Sequence, residues 1–173
     1  MNLNSNGFII DANSLITPFH NYYTFDWAPN FWQSVEESIL SGNIVLLDIV
    51  RDEILRGNDE LSKWMKRFDL STIQSRQDRD IITKYGEILE YIQTCGLYKS
   101  TALSNWSDKK NADGWLIAAA LGQGHTVVSF EASNKDLNSY NPSKDAKIPD
   151  VCASFSVTYT SLFEMMRSLD IKP

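Results

Sequence analysis

Cysteine and histidine are scarce: the 173-residue chain holds two of each, Cys95 and Cys152, His20 and His125. None of the four falls at metal-ligand spacing, which argues against a zinc site built on sulfur and imidazole. Two free, buried thiols in a reducing compartment are expected instead. Basic residues are outnumbered, 16 Lys and Arg against 22 Asp and Glu, for a net charge of −6. That balance argues against a strongly basic nucleic-acid binder. It leaves nucleic acid open as a substrate, because cations held by an acidic site supply their own positive field. No apolar run reaches the length of a bilayer span. The opening "MNLNSNG" lacks a basic residue and reads as no signal peptide. A cytoplasmic chain without membrane contact is therefore expected. With no repeat, low-complexity tract or long linker, residues 1–173 read as one domain.

What is present is an alternation. "GFII", "NIVLLD", "HTVVSF" and "SVTYT" are strand candidates, the first three continuous apolar runs. Between them lie helix candidates. "APNFWQSVEESILSGN" has Pro29 near its start and Gly42 as its stop. Asp48 is placed to N-cap "IVRDEILRG", and Asn58 to cap "DELSKWMKRF". Ile81, Ile82, Tyr85, Ile88, Leu89 and Ile92 recur at helical spacing. "NADGWLIAAALGQG", "PDVCAS" and "SLFEMMRSL" complete the set. Apolar strands separated by helices predict an α/β fold with a parallel sheet covered on both faces.

In such sheets ligands bind beyond the carboxyl ends of the strands, and acids cluster there in this sequence. Asp11 ends the first strand, and a charge directly after "FII" is costly unless something binds it. Asp48 ends the second, with Asp52 and Glu53 about one helical turn on. Asp113 opens the helix before the third strand, and Glu131 follows that strand. Gathered carboxylates repel, and hard divalent cations such as Mg²⁺ or Mn²⁺, which prefer oxygen ligands, relieve the repulsion. Such ions lower the pKa of a bound water and stabilise charge on a phosphate, which is phosphodiester hydrolysis without a protein nucleophile. Taken singly, each acid has an ordinary role: Asp48 as a helix cap, Asp113 as a dipole partner, Glu131 as a loop residue. Periodicity alone does not decide between Asp52 and Glu53.

These blocks resemble a PIN domain, the fold of many metal-dependent ribonucleases, including VapC-like toxins. "FIIDANSLI" resembles its first motif and "VRDEILRGN" its second, where the resemblance selects Glu53 over Asp52. "NADGWLIAAALGQGHTVVSFE" resembles its third and fourth, with Ile117 four residues after Asp113 where the family pattern has three. The aromatic "YYTFDWAPNFW", "ELSKWMKRF" and "KIPDVCASF…SLFEMMRSL" are similar to a PIN-like bacterial subfamily long catalogued as a domain of unknown function.

The resemblance implies a three-layer α/β/α sandwich with a mainly parallel sheet of four or five strands. It implies Asp11, Glu53, Asp113 and Glu131 as catalytic, metal-binding acids, and Asn13 as an orienting residue. Glu131 stands where many PIN domains have Asp, so Asp150 and Asp136 are further acids for the second metal position. The implied function is a Mg²⁺- or Mn²⁺-dependent endoribonuclease, the toxin of a type II toxin–antitoxin system. Its substrate is RNA, its partner an antitoxin protein, and its assembly a homodimer. Two alternatives compete. A degenerate PIN-like module binds RNA or protein without cleaving. A phosphatase uses a strand-end Asp as nucleophile, against which Asn13 stands where such enzymes carry a second acid. Trp115 and the aromatic segment Tyr22 to Trp32 have a packing role and a base-stacking role open to them. Lys109, Lys110, Lys144 and Lys147 flank the acids in sequence and suit a phosphate backbone, and Arg56 reads as structural.

Overall fold

The computed structural model describes residues 7–173. Its centre is a four-stranded sheet, β1 (Phe8–Ile10), β2 (Ile44–Val45), β3 (Thr126–Val128) and β4 (Tyr159–Thr160), in the order β2-β1-β3-β4. Every pairing is parallel: Phe8 lies opposite Ile44 and Thr126, and Val128 opposite Thr160. All four carboxyl ends therefore share one edge. The chain leaves β1 for β2 on one side and returns to β3 on the other, so the connections diverge at the end of β1. That is where open parallel sheets place their ligands.

Nine α-helices surround the sheet among the described residues: α1 (Asn13–Asn21), α2 (Pro29–Leu40), α3 (Asp48–Leu55), α4 (Glu60–Met65), α5 (Arg79–Thr94), α6 (Ser100–Trp106), α7 (Asp113–Gln123), α8 (Ile148–Ser154) and α9 (Leu162–Ser168). The architecture is α/β, a parallel sheet layered between helices. Ile9, Ile10, Val127 and Val128 are fully enclosed, as strands covered on both faces should be. One core runs from Ile9 to Ile171 without a break.

Two details place the site. Helix α7 is buried along Gly114 and Leu116–Ala120. Its run of alanines lets α5 and the sheet approach closely, and Gly124 ends it with φ +70°, a left-handed conformation natural to glycine. The fold also draws its strands shorter than the apolar runs suggest. "NIVLLD" keeps only Ile44 and Val45 in the sheet, while Leu47 instead bridges Gln74.

Capping differs from expectation at two helices. Asp48 is the first residue of α3, after Leu47, and its side chain accepts from the Ile49 N–H at 2.7 Å. Asp59, not Asn58, caps α4 by accepting from the Ser62 N–H at 2.9 Å; Asn58 turns through φ +50°. The aromatic segment divides. Phe31 and Trp32 are buried, and the Trp32 indole stacks edge-on to Trp64 at 5.1 Å, whereas Trp27 is 82% exposed. Both cysteines are free thiols, but only Cys152 is buried; Cys95, at the C-cap of α5, is half-exposed.

Candidate active site

Asp11 follows β1 immediately, and its N–H still donates to the Val128 carbonyl at 3.0 Å. Its backbone is therefore part of the sheet, and its carboxylate has no freedom to leave the edge. The side chain is only 5% exposed. Burial, then the charges of Asp113, Glu53 and Glu131, push its pKa up from 3.8 to about 7. Asp113, the first residue of α7, is raised to about 6, by burial first and then by Glu131. The Asn111 amide and the Lys147 ammonium act the other way on Asp113. Glu53 is raised by burial and lowered by Arg56.

These shifts describe four carboxylates close enough to feel one another, with less positive charge than they need. Burial of Asp11 and Asp113 without compensation costs free energy, and such sites are enriched in function. The two acids of α3 differ in surroundings. Glu53 faces the acids, whereas Asp52 points outward, 56% exposed and 3.9 Å from Arg76.

Glu131 has two tasks already. One oxygen accepts from the Ile148 N–H at 2.8 Å, holding the start of α8, and the other lies 3.4 Å from Lys147. A cavity of ≈ 170 Å³ opens between Asp113, Glu131, Asn111 and Lys147. A larger one of ≈ 400 Å³ lies elsewhere, on the α2–α4 face around Trp32 and Trp64.

Four other residues that the sequence offered for the site have these surroundings. Asn13 is exposed at the start of α1 and makes no side-chain hydrogen bond within the chain among the described residues. Both oxygens of Asp150 accept from the Asn134 N–H, at 3.0 and 3.2 Å, so Asp150 anchors the loop after β3. Asp136 is exposed in that loop. Trp115 is half-buried and packs one face flat on Tyr85, ring centres 3.7 Å apart.

Two contributors were not singled out by sequence pattern. Asn111 accepts from the Asp113 N–H at 2.8 Å and donates to the Asp113 carboxylate at 3.3 Å. Ser14 is fully buried and donates to the Val128 carbonyl at 3.4 Å, tying the start of α1 to the end of β3. The first is a local Asx pattern visible in "NAD"; the second is a tertiary interaction with no sequence signal.

The donor set, carboxylate oxygens around a buried and undercompensated Asp11, has the chemistry of a hard divalent cation site. Among the described residues, however, no three Asp, Glu, His or Cys side chains converge into a cage ready to hold an ion. No helix among the described residues is long and apolar enough to cross a membrane.

The family model described as "Domain of unknown function (DUF4411)" matches residues 8–172. A search of the curated proteins found no match.

Proposed function

Because the chain belongs to the DUF4411 family, whose description assigns no activity, we propose from the site itself that the protein is a PIN-like, metal-dependent endoribonuclease. The observation that carries this reading is the buried Asp11 at the carboxyl end of the central strand, raised to about 7 by burial and by the charges of Asp113, Glu53 and Glu131. Asp11, Glu53 and Asp113 are the residues to hold Mg²⁺ or Mn²⁺, with Glu131 beside Asp113 in the same cavity. The ion, when bound, supplies a water activated near neutral pH and a counter-charge for the phosphate under attack.

The chain's own residues do the rest. Asn111 fixes the Asp113 carboxylate through its amide. The sheet ladder fixes Asp11. Lys147 stands beside Asp113 and Glu131, where a cation restrains their repulsion and meets a phosphate oxygen. Asn13, exposed and uncommitted, is free to touch substrate. Within this reading the protein is a cytoplasmic type II toxin, with an antitoxin as protein partner and a homodimer as its assembly. A small adjacent gene encoding a DNA-binding protein supports that part, and its absence removes it.

The decisive experiment is cleavage of single-stranded RNA by the purified chain with Mn²⁺ or Mg²⁺, beside Asp11→Asn. Loss of cleavage with retained fold supports the assignment; equal cleavage by the variant sinks it.

Two observations favour a second reading, a non-catalytic module. The acids do not converge into a metal-holding group among the described residues, and Glu131 is engaged by Lys147 and the Ile148 N–H. Calorimetric titration with Mn²⁺ separates the two: no heat of binding together with no cleavage favours the module.

A further inference from the structure

A groove of ≈ 280 Å³ lies beside the acids, lined by Ile49, Asp52, Arg56, Arg76, Lys109 and Lys110. Four of these six residues are cationic, in a chain whose net charge is −6. Their placement follows from the same two elements that carry the site. Arg56 is the C-cap of α3, three residues beyond Glu53, so the helix that carries Glu53 also carries this cation at its end. Lys109 and Lys110 lie just ahead of Asn111 and Asp113. The groove and the acids therefore share their walls.

The groove is also built, not merely charged. Arg76 is held by Asp48 at 3.3 Å and by Asp52 at 3.9 Å, so it forms a fixed edge. The Arg56 Nε donates to the Asp52 carbonyl at 3.2 Å, which steadies the arm of its guanidinium. The Asp108 side chain accepts from the Lys110 N–H at 2.8 Å, and the Asn111 N–H donates to the Asp108 carbonyl at 3.0 Å. That turn holds Lys109 and Lys110 outward. Both lysines are exposed, and among the described residues neither they nor Arg56 make an ion pair. With Arg76 occupied by carboxylates, three cations remain for an external anion.

We propose that this groove is a phosphate-binding subsite that seats the backbone of single-stranded RNA beside the acid cluster. The choice of RNA rests on the ribonuclease reading. Lys and Arg interactions of this kind set register and supply affinity without reading bases. They compensate for acids that would otherwise repel a polyanion. Arg56 and the lysine pair approach from different walls, which suits a strand passing between them toward Asp11.

The test is fluorescence anisotropy of a labelled single-stranded RNA with the full chain in EDTA, where cleavage cannot interfere. Lys109→Gln/Lys110→Gln and Arg56→Gln are compared with Lys63→Gln/Lys66→Gln, which removes two exposed charges on α4 and at its C-cap. Circular dichroism melts verify the fold of each variant. The groove double variant should bind about tenfold more weakly, with the slope of log Kd against log salt reduced by about 0.7 for each phosphate that is no longer neutralised. The α4 double variant should bind nearly as wild type.

Unchanged affinity and slope in the groove variants overturn the subsite, as do equal losses in both doubles, no RNA binding by the wild type, or equally strong competition by polyglutamate. The last result makes the groove a dock for acidic protein. Cleavage is read separately with Mn²⁺. A wild type that binds RNA through the groove without cutting it removes the ribonuclease reading and leaves the subsite standing. One that cuts with no contribution from the groove does the reverse.

Discussion

Asn111 grips Asp113 twice, accepting from its N–H at 2.8 Å and donating to its carboxylate at 3.3 Å. The amide thereby orients the acid and favours its charged form against burial, Glu131 and Glu53. Asn111→Ala should remove both effects. The expected outcome is a higher Asp113 pKa and an acid limb of the cleavage–pH profile displaced to higher pH. Cleavage at neutral pH should fall about tenfold, as when an outer partner of a metal ligand is removed. A merely structural role would lower the melting temperature and leave the pH profile in place.

The stability of the metal-free protein should fall as pH rises. Asp11 titrates near 3.8 when exposed and about 7 when folded, and Asp113 near 3.8 and about 6. Between those values the folded chain keeps protons that the unfolded chain releases. Stability therefore declines with rising pH through that window and is lowest above about 7. In EDTA at pH 8, Asp11→Asn should relieve a cost on the order of 2–4 kcal/mol. It should raise the melting temperature by roughly 5 °C or more. A melting temperature that climbs with pH across this range, or a destabilised variant, contradicts the buried-charge account.

The same protons should compete with metal. Mn²⁺ affinity measured by calorimetry should rise as Asp11 and Asp113 lose their protons, about tenfold per pH unit for each proton displaced. It should level off above the value of about 7 that marks Asp11. Binding run in buffers of different ionisation enthalpy should reveal proton release near pH 6.5. Asp113→Asn should weaken binding and reduce the number of protons released.

Asp11 and Asp113 stood out in the sequence because each stands at a chain-level landmark, the end of an apolar strand and a helix start, whereas helical phase left Asp52 and Glu53 undecided and only the resemblance to the second PIN motif separated them. The parallel sheet was legible from apolar runs alternating with helices. Helix α1 was not. Its sequence "NSLITPFHN" carries β-branched Ile16 and Thr17 and an internal Pro18, all poor helix signals, and only burial of Leu15, Pro18 and Phe19 against the core compensates. Helix α6, "STALSNW", is two turns of weak helix formers held by the buried Ala102 and Trp106. Asp150 shows what sequence proximity does not reveal: it lies in α8, and its carboxylate is taken up by the Asn134 N–H of the loop after β3.

Gly114 should tolerate no side chain. An added Cβ would lie 2.8 Å from the Tyr85 ring. That ring stacks on Trp115 and donates its hydroxyl to the Trp106 carbonyl at 2.9 Å, so it cannot yield without giving up both interactions. Gly114→Ala should cost about 1–3 kcal/mol, read by urea denaturation. Because Gly114 adjoins Asp113, cleavage should drop as well. Tyr85→Leu in the same chain should restore part of the stability, and a non-additive double variant identifies the clash as the cause.

Glu131 combines a structural bond with a site charge, and two substitutions separate them. Glu131→Gln keeps an oxygen for the Ile148 N–H now held at 2.8 Å while removing the charge that faces Lys147 and Asp113. It should melt within about 1 kcal/mol of the wild type. Glu131→Ala leaves the first turn of α8 without its acceptor and should cost on the order of 1–3 kcal/mol. If Glu131 also serves the metal, both variants lose Mn²⁺-dependent cleavage by about tenfold, less than Asp11→Asn, because one Glu131 oxygen is already committed to the backbone. Wild-type cleavage by Glu131→Gln would assign the residue wholly to the anchoring of α8, and the site acids would then be Asp11, Glu53 and Asp113 alone.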